Sequence, residues 1–227
     1  MTPGTPPLDD LTPDNSPPTP SDGTAVAVDG INERHRARMV RKKALIDDKI
    51  EQAQRETGVI VITTGNGKGK SSSGFGMAIR AMGHGMKVGI VQFIKGAMST
   101  GEEKFLQRFP EEVSFHAMGE GYTWETQNRE RDIEKAEAAW EIGRGFLNDP
   151  TIGLVVFDEL NIALKYHYLD VQKVIDDLLA RPEMQHVVIT GRGAPQELID
   201  IADTVTEMQD IKHAFKSGIV AQAGIEW

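Results

Sequence analysis

A glycine-rich loop at residues 64–71 holds the residue types that could bind a polyphosphate. It reads Thr-Gly-Asn-Gly-Lys-Gly-Lys-Ser and follows a run of β-branched residues. Glycines let backbone N–H groups approach phosphate oxygens closely, and a helix that begins after the loop would point its positive end at the same anion. Lys70 could reach the outer phosphates, and the hydroxyl of Ser71 or Ser72 could bind Mg²⁺. The pattern predicts a nucleotide site.

The loop departs from the usual phosphate-binding pattern at one position. That pattern has Gly five residues before Gly69, where this chain has Thr64; glycines stand instead at positions 65 and 67. The alternative interpretation is a glycine-rich strand-to-helix turn that binds nothing. The apolar strand predicted before the loop and the helix predicted after it favour a nucleotide site.

Charged residues follow three other predicted strands. Asp158 and Glu159 come directly after a buried strand and could bind Mg²⁺ directly or through water. Such an acidic pair is also common as a surface cap. Arg192 lies between two glycines and could reach a phosphate or a ribose, or it could be an exposed loop residue. Lys95 could add electrostatic support, or be solvated.

Tyr122 and Trp124 lie one residue apart in a glycine-flanked loop. They could form a flat apolar wall for a planar ligand, or anchor the loop in the core. The six histidines show no paired ligand spacing, and no Ser–His–carboxylate pattern is present. This inventory favours a reaction whose substrate brings its own nucleophile, while the protein supplies positioning and charge stabilisation.

Composition limits the class of protein. The chain has 227 residues and a formal net charge of −9, which differs from the basic character of a general nucleic-acid binder. It has no cysteine, so disulfides and thiolate metal sites are excluded. We find no long apolar run that would predict a membrane span or a secretory signal, and expect a cytoplasmic protein.

Strand and helix patterns alternate from residue 58 onward. Short apolar strands between helices predict an α/β fold with a mostly parallel sheet, covered by helices on both faces. The predicted strands are 58–64, 87–93, 113–118, 151–157, 186–190, 204–208 and 219–225. The predicted helices are 71–82, 129–147, 170–180 and 195–202. Because ligands bind at the carboxyl ends of such strands, the loop, Asp158-Glu159 and Arg192 should share one edge of the sheet.

Two segments precede this domain, which we assign to residues 58–227. Residues 1–30 contain seven of the eleven prolines and five aspartates, and their composition predicts a disordered acidic tail. Residues 31–57 predict a basic helix with a thin apolar stripe at Met39, Ile46, Ile50 and Ala53. It could be a solvated helix packed on the domain, or a cap over an anionic or large ligand.

Several motifs together resemble the ATP:corrinoid adenosyltransferases of the P-loop class, which act in cobalamin synthesis and salvage. The resemblance covers residues 31–227 and rests on the 64–71 loop, Val-Gln-Phe-Ile-Lys-Gly at 91–96, Tyr-Thr-Trp-Glu-Thr-Gln-Asn at 122–128, Phe-Asp-Glu-Leu at 157–160, Ile-Thr-Gly-Arg-Gly at 189–193 and the ending at 212–227. Thr64 belongs to that family's loop pattern. The resemblance implies a P-loop NTPase (RecA-like) architecture.

The resemblance also implies a reaction. A cobalt(I) corrinoid attacks C5′ of ATP, triphosphate leaves, and Mg²⁺ assists. Lys70, Tyr122 and Trp124 would be catalytic, with the two aromatics displacing the lower ligand of cobalt(II). Mg²⁺ would be held by Ser71 and Glu159, with Asp158 nearby. ATP would contact Thr64, Gly65, Asn66, Gly67, Lys68, Gly69, Lys70, Ser71, Ser72 and Arg192.

The same resemblance implies a homodimer, a helix at 31–57 that folds over the corrinoid site, and a reduced flavoprotein as electron donor. No nucleic-acid or membrane partner is expected. Two other functions are compatible with the residues: an ordinary P-loop ATPase or kinase that cuts at phosphorus, and a non-catalytic ATP-gated interaction module.

Overall fold

The computed structural model describes residues 22–94, 99–118 and 128–226, with side chains from residue 32 onward. The chain divides into two compact units between Arg55 and Glu56. The first contains one long helix, α1 (Asp22–Gln52), and the described side chains of this helix are exposed. Within the described part of the chain, no helix combines the length and the apolarity needed to cross a membrane.

Helix α1 begins at Asp22, earlier than the predicted start at Ile31. The last proline of the N-terminal region is Pro20, and the residues after it include the helix-compatible run 25–28. The composition-based prediction ends the tail at Gly30. A single interior glycine costs a helix only about 1 kcal/mol relative to alanine, which does not end a helix of this length.

The second unit is built on a six-stranded sheet. Its strands are β1 (Ile60–Thr64), β2 (Lys87–Gln92), β3 (Val113–Ala117), β4 (Ile152–Asp158), β5 (His186–Thr190) and β6 (Thr204–Glu207). They lie in the order β3-β2-β4-β5-β1-β6, and every pair of neighbours is parallel. The prediction of an α/β fold with a parallel sheet is therefore confirmed.

Helices cover both faces of this sheet. Alternate residues of the central strands accordingly belong to two different apolar clusters, one on each face. In β4, Val155 and Phe157 join the cluster that contains Trp140, whereas Leu154 and Val156 join the cluster that contains Phe75. The helices are α2 (Lys70–Gly83), α3 (Gly101–Leu106), α4 (Arg129–Leu147), α5 (Leu160–Lys165), α6 (Val171–Leu179) and α7 (Gln196–Asp200).

The predicted strand at 219–225 is wrong. A 3₁₀ turn, Ala214–Ser217, is followed by Gly218 with a φ of 77°, and the rest of the segment bonds locally. Ile219 N donates to Ala214 O at 3.1 Å, and Glu226 N donates to Gln222 O at 2.8 Å. The β-branched residues indicated a strand, but local turns satisfy this backbone. Helices α3 and α5 were not predicted, since each is only six residues long.

Candidate functional site

The glycine-rich loop joins the carboxyl end of β1 to the amino end of α2. Gly65 and Gly69 have φ values of 93° and 112°, in the left-handed region that favours glycine. A Cβ at Gly65 would also collide with the carbonyl oxygen of Met208, which follows β6. The loop is therefore shaped by its own glycines and by the segment after β6, and it delivers Lys70 to the first turn of α2.

Hydrogen bonds tie the loop to its neighbours. Gly67 N donates to Met208 O at 2.7 Å, and Met208 N donates to Thr64 O at 2.8 Å. Thr64 Oγ1 accepts from Ala194 N at 3.2 Å, which joins the loop to the segment after β5. Thr64, the residue that departs from the usual loop pattern, thus connects the loop to the segment after β5 through its side chain. The N–H of Gly67 already has a protein acceptor, so in this state it is not free for a phosphate.

Lys70 is buried at the base of the loop. The residue is only 7% exposed, and its Nζ donates to Gly67 O at 2.6 Å. Burial lowers the pKa of Lys70, the carboxyl of Glu159 acts in the opposite direction, and Arg192 adds to the lowering. The ammonium group is held against the carbonyl of Gly67, in a position from which it can contact an anion in the loop.

Asp158 lies at the carboxyl end of β4 and has both oxygens engaged. Gln92 Nε2, at the end of β2, donates to Oδ2 at 2.8 Å. Thr190 Oγ1, at the end of β5, donates to Oδ1 at 2.6 Å. The three neighbouring strands β2, β4 and β5 thus place these side chains together at one edge of the sheet, as the sequence predicted for the carboxylate pair. Asp158 is held rigidly by the protein.

Glu159 has a different environment. Its backbone has a φ of 62°, an uncommon conformation for a residue with a side chain, and its N–H donates to Thr190 Oγ1 at 3.0 Å. Oε2 is buried and has no hydrogen-bond partner among the described residues. Burial and the adjacent Asp158 carboxyl raise the pKa of Glu159 to about 7, against the opposing charges of Lys70 and Arg192. Such a carboxylate is placed to receive a cation.

The raised pKa predicts a dependence of stability on pH. At pH values below 4.5, the usual pKa, Glu159 is neutral whether the chain is folded or unfolded. Between 4.5 and about 7 only the unfolded chain releases the proton, so the free energy of unfolding falls as pH rises. The full shift corresponds to roughly 3 kcal/mol, and water in the open cavity reduces this to about 1–2 kcal/mol.

We therefore expect Glu159→Gln, without Mg²⁺ or nucleotide, to be about 1–2 kcal/mol more stable than the wild type at pH 8 and nearly equal to it at pH 5. Denaturant unfolding at the two pH values measures the difference. Glu137→Gln, an exposed residue on α4, is the matched control and should show no such trend. An equal stability difference at both pH values would contradict the assignment.

These residues line one cavity of about 1330 Å³. Of the predicted nucleotide-binding residues, 66–72 and Arg192 lie on its wall, whereas Thr64 and Gly65 do not. Asp158 and Glu159 are also on the wall. Tyr122, Trp124 and Lys95 lie outside the described residues, so their predicted positions stay predictions.

The cavity is also lined by residues for which no role was predicted. Helices α2 and α3 contribute Phe75 and Phe105, and the C-terminal segment contributes Phe215 and Ile225. Lys68 of the loop forms an ion pair with Glu226 at 2.9 Å. Residues 212–227 carried part of the family resemblance, which was the only signal that could have placed them at the site. Gln92 and Thr190 sit within family motifs, but their contacts depend on strand order.

The parallel sheet, the glycine-rich loop, the buried lysine and the carboxylate pair define a P-loop nucleotide-binding protein. A family model described as "ATP:corrinoid adenosyltransferase BtuR/CobO/CobP" matches residues 56–227. A second model, "Cob(I)alamin adenosyltransferase N terminal", matches residues 29–50. The chain therefore belongs to the ATP:corrinoid adenosyltransferase family, as the sequence motifs predicted.

Curated relatives agree with this family. The chain is 66% identical over 196 residues to the corrinoid adenosyltransferase of Pseudomonas aeruginosa, covering 86% of this chain and 97% of that protein. It is 47% identical to the corrinoid adenosyltransferase CobA of Salmonella typhimurium, covering 86% and 99%. For the corrinoid adenosyltransferase of Escherichia coli K12 the identity is 44%, with the same coverage. This protein is thus a transferase whose substrates are ATP and a corrinoid, and neither alternative function is favoured.

Proposed function

We propose that the cavity performs adenosyl transfer at a carbon atom rather than at phosphorus, with Lys70 and the loop as the main catalytic groups. The observation that carries this proposal is a single cavity in which a buried lysine, the loop amides and Arg192 lie beside extensive apolar walls. Its volume of about 1330 Å³ exceeds the range usual for one drug-sized ligand, roughly 300–1,000 Å³. The size supports simultaneous occupancy by a nucleotide and a second, larger substrate.

In the proposed reaction, the electron pair of cobalt(I) in the corrinoid substrate forms a bond to C5′ of ATP. The bond between C5′ and its oxygen breaks, and triphosphate leaves with that electron pair. Because cobalt(I) is itself a strong nucleophile, no general base is required. The charge that develops on triphosphate is stabilised by Lys70, Arg192 and free loop amides. Each well-placed donor of this kind contributes about 3 kcal/mol.

We assign a Mg²⁺ ion to Ser71 and Glu159. The fit is supported by the unpartnered buried Oε2 of Glu159 and by the position of Ser71 on the same cavity wall. Both oxygens of Asp158 already accept hydrogen bonds from Gln92 and Thr190. Because each oxygen of Asp158 is already held by a protein donor, we place Asp158 beside the ion, where it would contact the metal through water. Bound Mg²⁺ would neutralise phosphate charge, and the chain's own part is to hold these oxygens in place.

The remaining assignments rest on the resemblance. Tyr122 and Trp124 would displace the lower ligand of cobalt(II), and a reduced flavoprotein would supply the electron. Helix α1 would cover the corrinoid site of the partner in a homodimer. Support for this comes from the exposed apolar residues Met39, Ile46 and Ile50 and from the match of residues 29–50 to an N-terminal family model. Use of ATP supports a cytoplasmic location.

The test is an anaerobic incubation of the protein with ATP, Mg²⁺ and a chemically reduced corrinoid. We expect a light-sensitive adenosylated corrinoid and an equal amount of triphosphate, and we expect chelation of Mg²⁺ to suppress both products. Formation of ADP and phosphate instead would support an ATPase or kinase. Tight ATP binding without any turnover would support an interaction module. Activity that persists fully in excess chelator would overturn the Mg²⁺ assignment alone.

A further inference from the structure

The side chain of Gln92 is buried beside the predicted metal site, yet half of its amide has no partner. Gln92 is 6% exposed, lines the cavity, and donates from Nε2 to Asp158 Oδ2 at 2.8 Å. Its Oε1 is buried and makes no hydrogen bond within the described part of the chain. A buried acceptor left without a donor costs about 1–3 kcal/mol. An unpaired acceptor on the cavity wall indicates that a donor group of the bound substrate pairs with it.

The orientation of this amide is fixed by charge. A reversed amide would place Oε1 against the carboxylate of Asp158, where two acceptors would face each other. Asp158 is itself fixed, because Thr190 Oγ1 donates to its other oxygen at 2.6 Å. Thr190 Oγ1 in turn accepts from the backbone N–H of Glu159 at 3.0 Å. This buried chain of contacts leaves Gln92 Oε1 as an acceptor in a defined position.

We propose that Gln92 is a binding residue for the metal–nucleotide substrate. Its Nε2 holds Asp158, and its Oε1 accepts a hydrogen bond from an O–H group of the bound substrate. That O–H belongs either to a water coordinated by Mg²⁺ or to a ribose hydroxyl of ATP. The acceptor chemistry is the same for both sources. This inference rests on the proposed placement of Mg²⁺ and ATP in the cavity.

The variant Gln92→Met tests the proposal, because methionine has a similar length and neither donates nor accepts strongly. Dissociation constants are measured by titration calorimetry with Mg²⁺–ATP, with ATP in chelator, and with Mg²⁺ and either 2′-deoxy-ATP or 3′-deoxy-ATP. We expect Gln92→Met to bind Mg²⁺–ATP about tenfold more weakly than the wild type. A loss confined to the Mg²⁺ titration identifies the metal-bound water as the donor.

A ribose donor gives a different pattern. The loss then persists in chelator, and removing the relevant hydroxyl from ATP weakens wild-type binding but causes no further loss in Gln92→Met. Thr190→Val is the control, because it removes the other contact to Asp158 and leaves Gln92 Oε1 in place. Equal losses for the two variants in every titration would show that Gln92 acts only through Asp158, which would overturn the proposed contact.

Two further results separate failure of this inference from failure of the proposed function. If folded Gln92→Met, judged by an unchanged melting transition, binds all ligands as the wild type does, the inference is overturned. If the wild type itself binds no ATP, the proposed function fails at the preceding step. Should Gln92→Met fold poorly, Gln92→Leu offers a second apolar side chain of similar size, and wild-type affinity of folded Gln92→Leu in all titrations would overturn the inference in the same way.

Discussion

Lys70→Ala should reduce adenosyl transfer by about 10²–10³-fold, the effect typical of removing one charge-stabilising donor from a leaving oxyanion. Lys70 is buried, and its ammonium group contacts the carbonyl of Gly67 within the loop that is predicted to receive triphosphate. In the variant, the developing negative charge loses a fixed cation at the base of the loop. Single-turnover rates with saturating ATP and chemically reduced corrinoid measure the chemical step directly.

Lys68→Ala is the matched control, since Lys68 belongs to the same loop and carries the same charge. Its ammonium group is partly exposed and is paired with Glu226 at 2.9 Å. An exposed ion pair of this kind contributes about 0–1 kcal/mol, so we expect less than a tenfold loss. Lys70→Ala with a rate close to the wild type would refute the catalytic assignment of the loop. Equal losses for both variants would show that only the loop's net charge matters.

Much of the fold was predictable because the signals are local and periodic. The boundaries of α4 (Arg129–Leu147) and β5 (His186–Thr190) agree with the sequence, since each has an apolar repeat and clear end signals. In α4, Asn128 caps the first turn by accepting from Arg131 N, and Asn148 ends it before Pro150. The prediction of a strand at 219–225 was wrong because the apolar residues of this segment are exposed and its backbone forms hydrogen bonds within local turns.

Site residues that belong to sequence motifs could be predicted, whereas contacts that depend on the order of strands in the sheet could not. The loop and the carboxylate pair follow from motif and strand position. The contacts of Gln92 and Thr190 with Asp158 require β4 to lie between β2 and β5, and a single sequence does not specify that order. The protein acceptor for the Gly67 N–H could not be predicted either, because it is the carbonyl of Met208, which lies far along the chain. These long-range contacts determine which groups remain free for a ligand.

The Asp158–Glu159 pair shows how strand neighbours divide roles between adjacent residues. Asp158 is the last residue of β4, and its neighbours on both sides occupy its oxygens. Glu159 follows the strand with a positive φ, and its Oε2 has no hydrogen-bond donor within the described ranges 22–94, 99–118 and 128–226. Two adjacent acidic residues that are equivalent in the sequence therefore differ in what they can bind. Within this acidic pair, the difference is the physical basis for proposing Glu159, together with Ser71, as the direct metal contact.

Trp124→Ala should impair the reaction far more when the corrinoid is supplied as cobalt(II) with a mild reductant than when it is supplied as cobalt(I). If the aromatic side chain displaces the lower ligand of cobalt(II), its loss makes that reduction harder, whereas prereduced cobalt(I) bypasses the step. We expect the loss in the cobalt(II) assay to exceed the loss with cobalt(I) by roughly tenfold or more, which corresponds to at least about 1.4 kcal/mol.

Two conservative variants separate a displacing role from a merely structural one. Trp124→Phe retains a large apolar ring and should lose much less cobalt(II) activity than Trp124→Ala. Tyr122→Phe removes only a hydroxyl, so an apolar contact at this position would be preserved. The absorption spectrum of cobalt(II) corrinoid bound with ATP gives a second measurement, because loss of the lower ligand changes it before any transfer occurs. Equal losses of Trp124→Ala activity in both assays, with an unchanged spectrum, would contradict the role of Trp124 in reduction.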